Sequence, residues 1–148
     1  MDCEILREKG QLLSLTREWE KEVDWSLGFN PSPEFLAEEL DKLVSDPDSD
    51  VIVLIDSEIV GMLALTIQKY PISNEIVASE RAWFVKAEKR GVGSIRLIRE
   101  AEMWAKEKGC THFLMYASNL ASGLHDKVCR LYQRLGMKLF ETSFVKEL

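Results

Sequence analysis

The chain is poor in the residues that build disulfide and metal frameworks. It has three cysteines and two histidines in 148 residues. Cys3, Cys110 and Cys129 are odd in number, widely spaced and form no CxxC pair, which predicts reduced thiols in a cytosolic protein. His112 and His125 complete no zinc-ligand spacing, so no metal is expected. Positive charge is in deficit as well: 19 Lys and Arg stand against 25 Asp and Glu, a net charge of -6. That balance argues against a general nucleic-acid binder and leans toward a cationic partner. No apolar run is long enough to span a membrane. The polar, acidic start Met1-Asp2-Cys3-Glu4 does not read as a signal peptide, so a cytoplasmic location without membrane contact is expected. No Gly-Lys-Ser/Thr follows any glycine pair, which excludes a nucleotide-triphosphate loop of that type. Repeats, low-complexity segments and linkers are absent too, so residues 1–148 are read as one domain with a sizeable core.

What is present is an alternation of helical and strand-like patterns. Glu4 to Arg7 reads as a short first strand. Leu12, Leu15, Trp19 and Val23 recur at helical spacing between Gln11 and Asp24. Ser32-Pro33-Glu34 predicts a helix start, with Ser as cap, Pro at the first helical position and Glu in the first turn, and the helix runs to about Ser45. Val51 to Ile55 and Ile59 to Tyr70 predict a hairpin turning at Asp56-Ser57-Glu58, and Glu75 to Val85 a third long strand. A helix from Val92 to Lys108 ends at Gly109, a C-cap. Phe113 to Tyr116 reads as a buried strand, Leu124 to Leu135 as a helix stopping at Gly136, and Met137 to Val145 as a final strand. Hairpins followed by strand–helix units predict an α/β (α+β) fold. Its central sheet is mixed, mostly antiparallel, of six to seven strands flanked by about four helices.

The junction Trp83-Phe84-Val85-Lys86-Ala87-Glu88-Lys89-Arg90-Gly91-Val92-Gly93-Ser94-Ile95 carries most of the functional information. An apolar strand leads through a basic glycine loop into a helix start. Helix starts present backbone N–H groups without intrahelical partners, and the helix dipole favours negative charge there. Glycines let that backbone approach a ligand closely, and Lys89 and Arg90 add positive charge. The arrangement suits the diphosphate of a cofactor.

Two segments resemble the GNAT superfamily of N-acetyltransferases, in an order of elements that covers nearly the whole chain. Arg90-Gly91-Val92-Gly93-Ser94-Ile95 is close to the family's Arg/Gln-x-x-Gly-x-Gly/Ala pyrophosphate loop. Leu131-Tyr132-Gln133-Arg134-Leu135-Gly136-Met137 is close to its Leu/Phe-Tyr-x-x-x-Gly-Phe ending. Ile95 departs from the pattern, standing where the family has Gly or Ala. A register beginning at Glu88 instead of Arg90 would put a carboxylate beside the diphosphate, which is repulsive, so the Arg90 register is preferred.

The resemblance implies acetyl-CoA as co-substrate, with the amides from Gly91 through Val92, Gly93 and Ser94 to Ile95 cradling its diphosphate. It implies that the pantetheine arm pairs with the free backbone of Phe84 and Val85. It implies transfer of the acetyl group to a primary amine by direct attack in a ternary complex, with Glu80 as base and Tyr132 as the acid that protonates the departing thiolate. Glu75 is a second candidate base. Strand alternation places Glu80, Ala82 and Phe84 on one face. Where many relatives have an Asn seven positions before the Tyr, this chain has His125, and its nearest Asn is Asn119; either could contribute to cofactor binding. Cys129 reads as a small buried residue, and an acyl-cysteine route has no supporting base in the sequence. In the first half, Trp19, Trp25 and Phe29 stand among Glu18, Glu20, Glu22 and Asp24, a composition able to hold an ammonium. The stronger reading puts the aromatics in the core and the acids on a solvated face. The partners expected are an amine acceptor, with cationic character in keeping with the acid excess. No nucleic acid and no membrane are expected, and a homodimer is left open. The alternative function is an acyl-CoA-binding module of the same fold without efficient turnover.

Overall fold

Strands rich in Val, Leu and Ile form the middle of the molecule, and their alternation decides where the helices sit. The computed structural model describes residues 1–120 and 123–148. The elements are β1 (Asp2–Ile5), α1 (Leu13–Glu20), α2 (Pro33–Val44), β2 (Ser49–Asp56), β3 (Glu58–Lys69), β4 (Ile76–Val85), α3 (Val92–Glu107), β5 (His112–Leu114) and α4 (His125–Arg134). The strands lie in the order β1-β2-β3-β4-β5, with antiparallel neighbours from β1 to β4 and a parallel β4–β5 pair. On β2, Ile52 and Leu54 point to one face and Val51 and Val53 to the other. Both sets are buried because both faces are covered, which is why the strand reads as an unbroken apolar run.

One face packs against α3 and α4 through Leu97, Ile98, Ala101, Trp104 and Tyr132. The other packs against α1 and α2 through Leu12, Leu15 and Leu40. The start of α2 is set by Ser32, whose hydroxyl accepts from the Phe35 N–H at 3.2 Å, with Pro33 at the first helical position. The buried Thr16 hydroxyl donates to the Pro33 carbonyl at 2.9 Å and ties α1 to that start.

Among the described residues the sheet has five strands, fewer than the six to seven expected. The missing one is the final strand placed at Met137 to Val145: residues 137–148 carry no regular structure. Their apolar residues come in adjacent pairs, Leu139-Phe140 and Phe144-Val145, and so break the period of two that a half-buried strand needs. The segment crosses Tyr70 instead. Phe140 lies 5.7 Å from the Tyr70 ring, centroid to centroid, and Glu141 accepts from the Tyr70 hydroxyl at 3.4 Å.

Candidate active site

One extra residue in β4 shapes the site. Ala64 pairs with Ala82 and Leu65 with Glu80, which leaves Arg81 exposed and without a partner across the ladder. Such a bulge reverses the alternation beyond it. Glu80 stands opposite Leu65 and therefore faces α3 and α4. Ala82 and Phe84 face α1 and α2. This corrects the expectation that Glu80, Ala82 and Phe84 share a face. The bulge also turns the backbone. The Lys86 N–H donates to the Val60 carbonyl, so in the antiparallel ladder Phe84 bonds to Met62, while Trp83 and Val85 direct their N–H and C=O groups away from β3. Below the bulge the Ile76 carbonyl faces β5 and accepts from Thr111. The outward backbone groups at the top of β4 therefore belong to Trp83 and Val85, and Phe84 is corrected to a ladder position.

Beside these groups β4 and β5 part. They pair only through Val77, Ala78 and Ser79. Past that point the two predicted catalytic side chains meet on one residue. Glu80 Oε2 accepts from the Tyr116 N–H at 2.7 Å, and the Tyr132 hydroxyl donates to the Tyr116 carbonyl at 2.8 Å. The Trp83 ring lies 6.2 Å from that of Tyr132. Burial disfavours the charged form of the Glu80 carboxyl and pushes its pKa up to about 8, with the Tyr116 N–H drawing it partly back. Burial also holds the Tyr132 phenol well above its ordinary value, and the negative charge of Glu80 raises it further. Trp83 and Tyr116 were not singled out by the sequence. The signal for them lay in the parity of β4 and in a contact between residues 36 apart, and neither is visible in a local pattern.

The glycine loop reaches the same region. Gly91 caps α3 with φ 78°, a conformation costly for any residue with a Cβ, and the space around its α-carbon is open. Gly93 serves a different need. A Cβ there would stand 2.8 Å from Leu54 Cδ2, so the residue lets α3 press onto the sheet. No side chain caps this helix start, and its free donors are the amides of Val92, Gly93 and Ser94. Ile95 is corrected here, because its N–H donates to the Gly91 carbonyl at 3.0 Å as the first helical bond. The basic side chains also differ from expectation. Lys89 pairs with Asp56 at 2.5 Å. Arg90 turns back from the loop: Nε donates to the Val85 carbonyl at 2.8 Å, Nη2 pairs with Glu22 at 2.6 Å, and the guanidinium lies 5.5 Å from the centre of the Phe84 ring.

The remaining candidates separate. Asn119 is exposed in the turn after β5. Glu75 precedes β4 at the far, paired end of the seam, where His112 Nδ1 lies 2.9 Å from it and the Thr111 hydroxyl 3.3 Å. His125 opens α4, with Nε2 3.9 Å from Cys129 Sγ and Nδ1 3.2 Å from Asp126. In the first half, Glu18 pairs with Lys21, Glu22 with Arg90, and Asp24 accepts from the Ser26 N–H. Trp19 packs in the core and Phe29 is exposed, while the Trp25 side chain lies outside the described residues. Among the described residues no group of three or more His, Cys, Asp and Glu could hold a metal ion, and no helix is long and apolar enough to cross a membrane.

A mixed sheet that parts beside an uncapped, glycine-led helix start is the architecture of an acetyltransferase. Residues 13–137 match the model of the acetyltransferase (GNAT) family, and the chain belongs to that family. Solved structures share the fold at low sequence identity. A transcriptional regulator from Bacillus halodurans is 21% identical, with a TM-score of 0.77 over 99% of this chain and 100% of that one. The aminoglycoside 6'-N-acetyltransferase AAC(6')-IG from Acinetobacter haemolyticus is 20% identical, with a TM-score of 0.66 over 100% and 99%. AAC(6')-Iy, in complex with a bisubstrate analogue joining coenzyme A to an acetylated neamine, is 17% identical, with a TM-score of 0.65 over 100% and 99%. No curated protein matches the chain in sequence.

Proposed function

We propose that the chain transfers an acetyl group from acetyl-CoA to a primary amine, on a small molecule, a peptide N-terminus or a lysine, by direct attack in a ternary complex. The observation that carries this reading is the convergence of Glu80 and Tyr132 on Tyr116, where β4 and β5 part. Acetyl-CoA supplies the activated acyl group. The amides of Val92, Gly93 and Ser94 suit its diphosphate, and the outward backbone of Trp83 and Val85 suits its amide-bearing arm. Glu80 takes the proton of the incoming ammonium, directly or through water. A carboxyl with a pKa near 8 is a stronger base than an ordinary one once ionised. Tyr132 keeps its proton at any working pH and can give it to the departing sulfur on leaving the Tyr116 carbonyl.

A second reading, an acyl-CoA-binding module without efficient turnover, is favoured by Ile95, which stands where the family pattern has Gly or Ala, and by Arg90 on the Val85 carbonyl. Thiol release from acetyl-CoA across a panel of amines and lysine peptides separates the two. Release with at least one amine, abolished or strongly slowed in Tyr132→Phe, is expected. Tight coenzyme A binding without release for any acceptor would establish the module instead.

A further inference from the structure

The bulge in β4 has a second effect. Leu65 pairs with Glu80 and Leu63 with Trp83, and both leucines lie in the layer between the sheet and α3–α4. Trp83 therefore faces the same side as Glu80, although strict alternation would set residues three apart on opposite faces. On that side, across the opening between β4 and β5, it meets Tyr132 of α4. The two rings lie 6.2 Å apart, centre to centre, at 37°. Tyr132 is buried and Trp83 half-buried. The single proton of the Tyr132 hydroxyl is directed to the Tyr116 carbonyl at 2.8 Å, which leaves the lone pairs of the oxygen to accept. Burial and then the negative charge of Glu80 disfavour an anion on this oxygen, and the Trp83 side chain acts the other way, as a hydrogen-bond donor that favours it. The indole N–H is the one donor that ring has. Trp104 uses the same group differently: its N–H donates to Asp50 Oδ2 at 2.7 Å and ties α3 to β2. A phenol whose anion is disfavoured is a weak acid toward a thiolate. Its proton leaves more readily when a donor meets the oxygen left behind.

We propose that Trp83 is a positioning residue for the acid of the transfer: its indole N–H holds the Tyr132 oxygen while that oxygen gives its proton to the departing sulfur of coenzyme A. The inference rests on the acetyl-transfer reading of the site. Glu80 takes the first proton of the ammonium, and the nitrogen bonds to the acyl carbon. As the bond from that carbon to sulfur breaks, sulfur keeps the electron pair and takes the Tyr132 proton. The Tyr132 oxygen retains the pair of its O–H bond and carries a negative charge, which the Trp83 N–H meets. The nitrogen still holds one proton too many, and that proton restores the phenol. The products are the N-acetylated amine and the free thiol, with the first proton passing from Glu80 to water. Trp83 touches no reacting atom and acts through Tyr132 alone.

The test compares Trp83→Phe, Tyr132→Phe and the double variant with the unaltered chain, by thiol release from acetyl-CoA with an amine that the chain accepts. Phe keeps a ring at each position and removes only the polar group. Trp83→Phe should lower kcat roughly 10- to 100-fold, the effect of losing one hydrogen bond to a charged group. The KM for acetyl-CoA and the coenzyme A affinity by calorimetry should stay within about twofold, because the outward backbone of residue 83 is retained. The double variant should be no slower than Tyr132→Phe alone, since the N–H then has no oxygen to serve. A ring that only packs would slow both backgrounds by the same factor; that result would overturn the inference and leave the transfer reading intact. No release with any amine in the unaltered chain would overturn both. Where Tyr132→Phe is too slow to compare, the N–H itself decides. With ¹⁵N-labelled tryptophan, the indole signal missing in Trp83→Phe identifies Trp83, and it should move upfield in Tyr132→Phe. The signals of the other three tryptophans report whether each variant is folded. An unmoved Trp83 signal in a folded Tyr132→Phe would overturn the inference.

Discussion

β4 has two edges, and they are built differently. Along β3 it is paired from Ile76 to Val85, with the single interruption at Arg81. Along β5 it is paired only at Val77, Ala78 and Ser79, and then the strands part. The closed edge supplies stability, because apolar pairs such as Met62 with Phe84, both buried, and Leu63 with the half-buried Trp83 cross it. The open edge is where the proposed chemistry falls, because outward backbone groups and the side chains of Glu80 and Tyr132 gather there. The bulge connects the two. By reversing the alternation at Arg81 it gives the α1–α2 face Phe84 and the α3–α4 face Glu80, and it turns the backbone of Trp83 and Val85 toward the opening.

The largest effect is expected where the open edge is chemically poised. Glu80→Gln keeps an acceptor for the Tyr116 N–H but removes the base, so kcat should fall roughly 10²–10⁴-fold while the KM for acetyl-CoA changes little. With an acceptor amine already neutral at pH 7, the unaltered enzyme should gain activity as pH rises through about 8, where Glu80 ionises, and the variant should lose that limb. Stability moves in the opposite direction. The folded pKa lies above the ordinary 4.5, so folding favours the protonated form, and the cost of ionising Glu80 grows from about pH 4.5 and is complete above about 8. Denaturant titrations should show the variant gaining on the parent over that interval. The gain is on the order of 1.4 kcal/mol per unit of pKa difference, as an upper bound. A parallel pH dependence of the two proteins would mean that Glu80 is solvated and ionised at neutral pH.

On the sheet face beneath α3, away from the open edge, the corresponding change should act on stability. Gly93→Val places a branched side chain against Leu54, which is fully buried, and 3.7 Å from Val85 Cγ1 already at the Cβ. Overpacking of this kind costs about 1–3 kcal/mol. Thermal and urea midpoints should drop accordingly, and the loss should appear with or without acetyl-CoA. A variant as stable as the parent would mean that α3 does not rest on the sheet as closely as described.

Much of the fold away from the open edge was legible because its signals are local. Ser32-Pro33-Glu34 marks the start of α2, the unbroken Val51 to Ile55 run marks a strand covered on both faces, and Gly91 and Gly93 mark the turn into α3. Glu80 and Tyr132 were legible only by position relative to the two motifs. Their meeting point was not, because Tyr116 is 36 residues from one and 16 from the other, and spacing in sequence says nothing of that closure. The bulge was hidden for a related reason. A single extra residue leaves every neighbouring residue type unchanged, so strict alternation put Glu80 on the wrong face, and the resemblance gave the free backbone to Phe84 in place of Trp83. The final strand failed differently: Met137 to Val145 has strand composition, but its paired apolar residues lack strand periodicity.

The smallest of the three effects concerns the residue that bridges the edges. Arg90 lies in the loop motif, and its charge was expected to serve the diphosphate. In the structure the guanidinium is already engaged three times: with the outward carbonyl of Val85, with Glu22, and with the Phe84 ring. It fills the place on β4 that a neighbouring strand would take, and it fastens the end of the α1 region to the open seam. Arg90→Ala should therefore lower stability by about 1 kcal/mol, the usual range for a hydrogen bond and a partly exposed ion pair. Arg90→Gln, which keeps a donor for Val85, should recover part of that loss. Coenzyme A affinity should change by less than about threefold, well under the tenfold that 1.4 kcal/mol represents, because the charge is held by Glu22 and the amides of Val92, Gly93 and Ser94 are untouched. A tenfold weakening by calorimetry, relieved by raising the salt concentration, would show that the guanidinium leaves Val85 for the diphosphate. The bridge between the two edges would then be a property of the free enzyme alone.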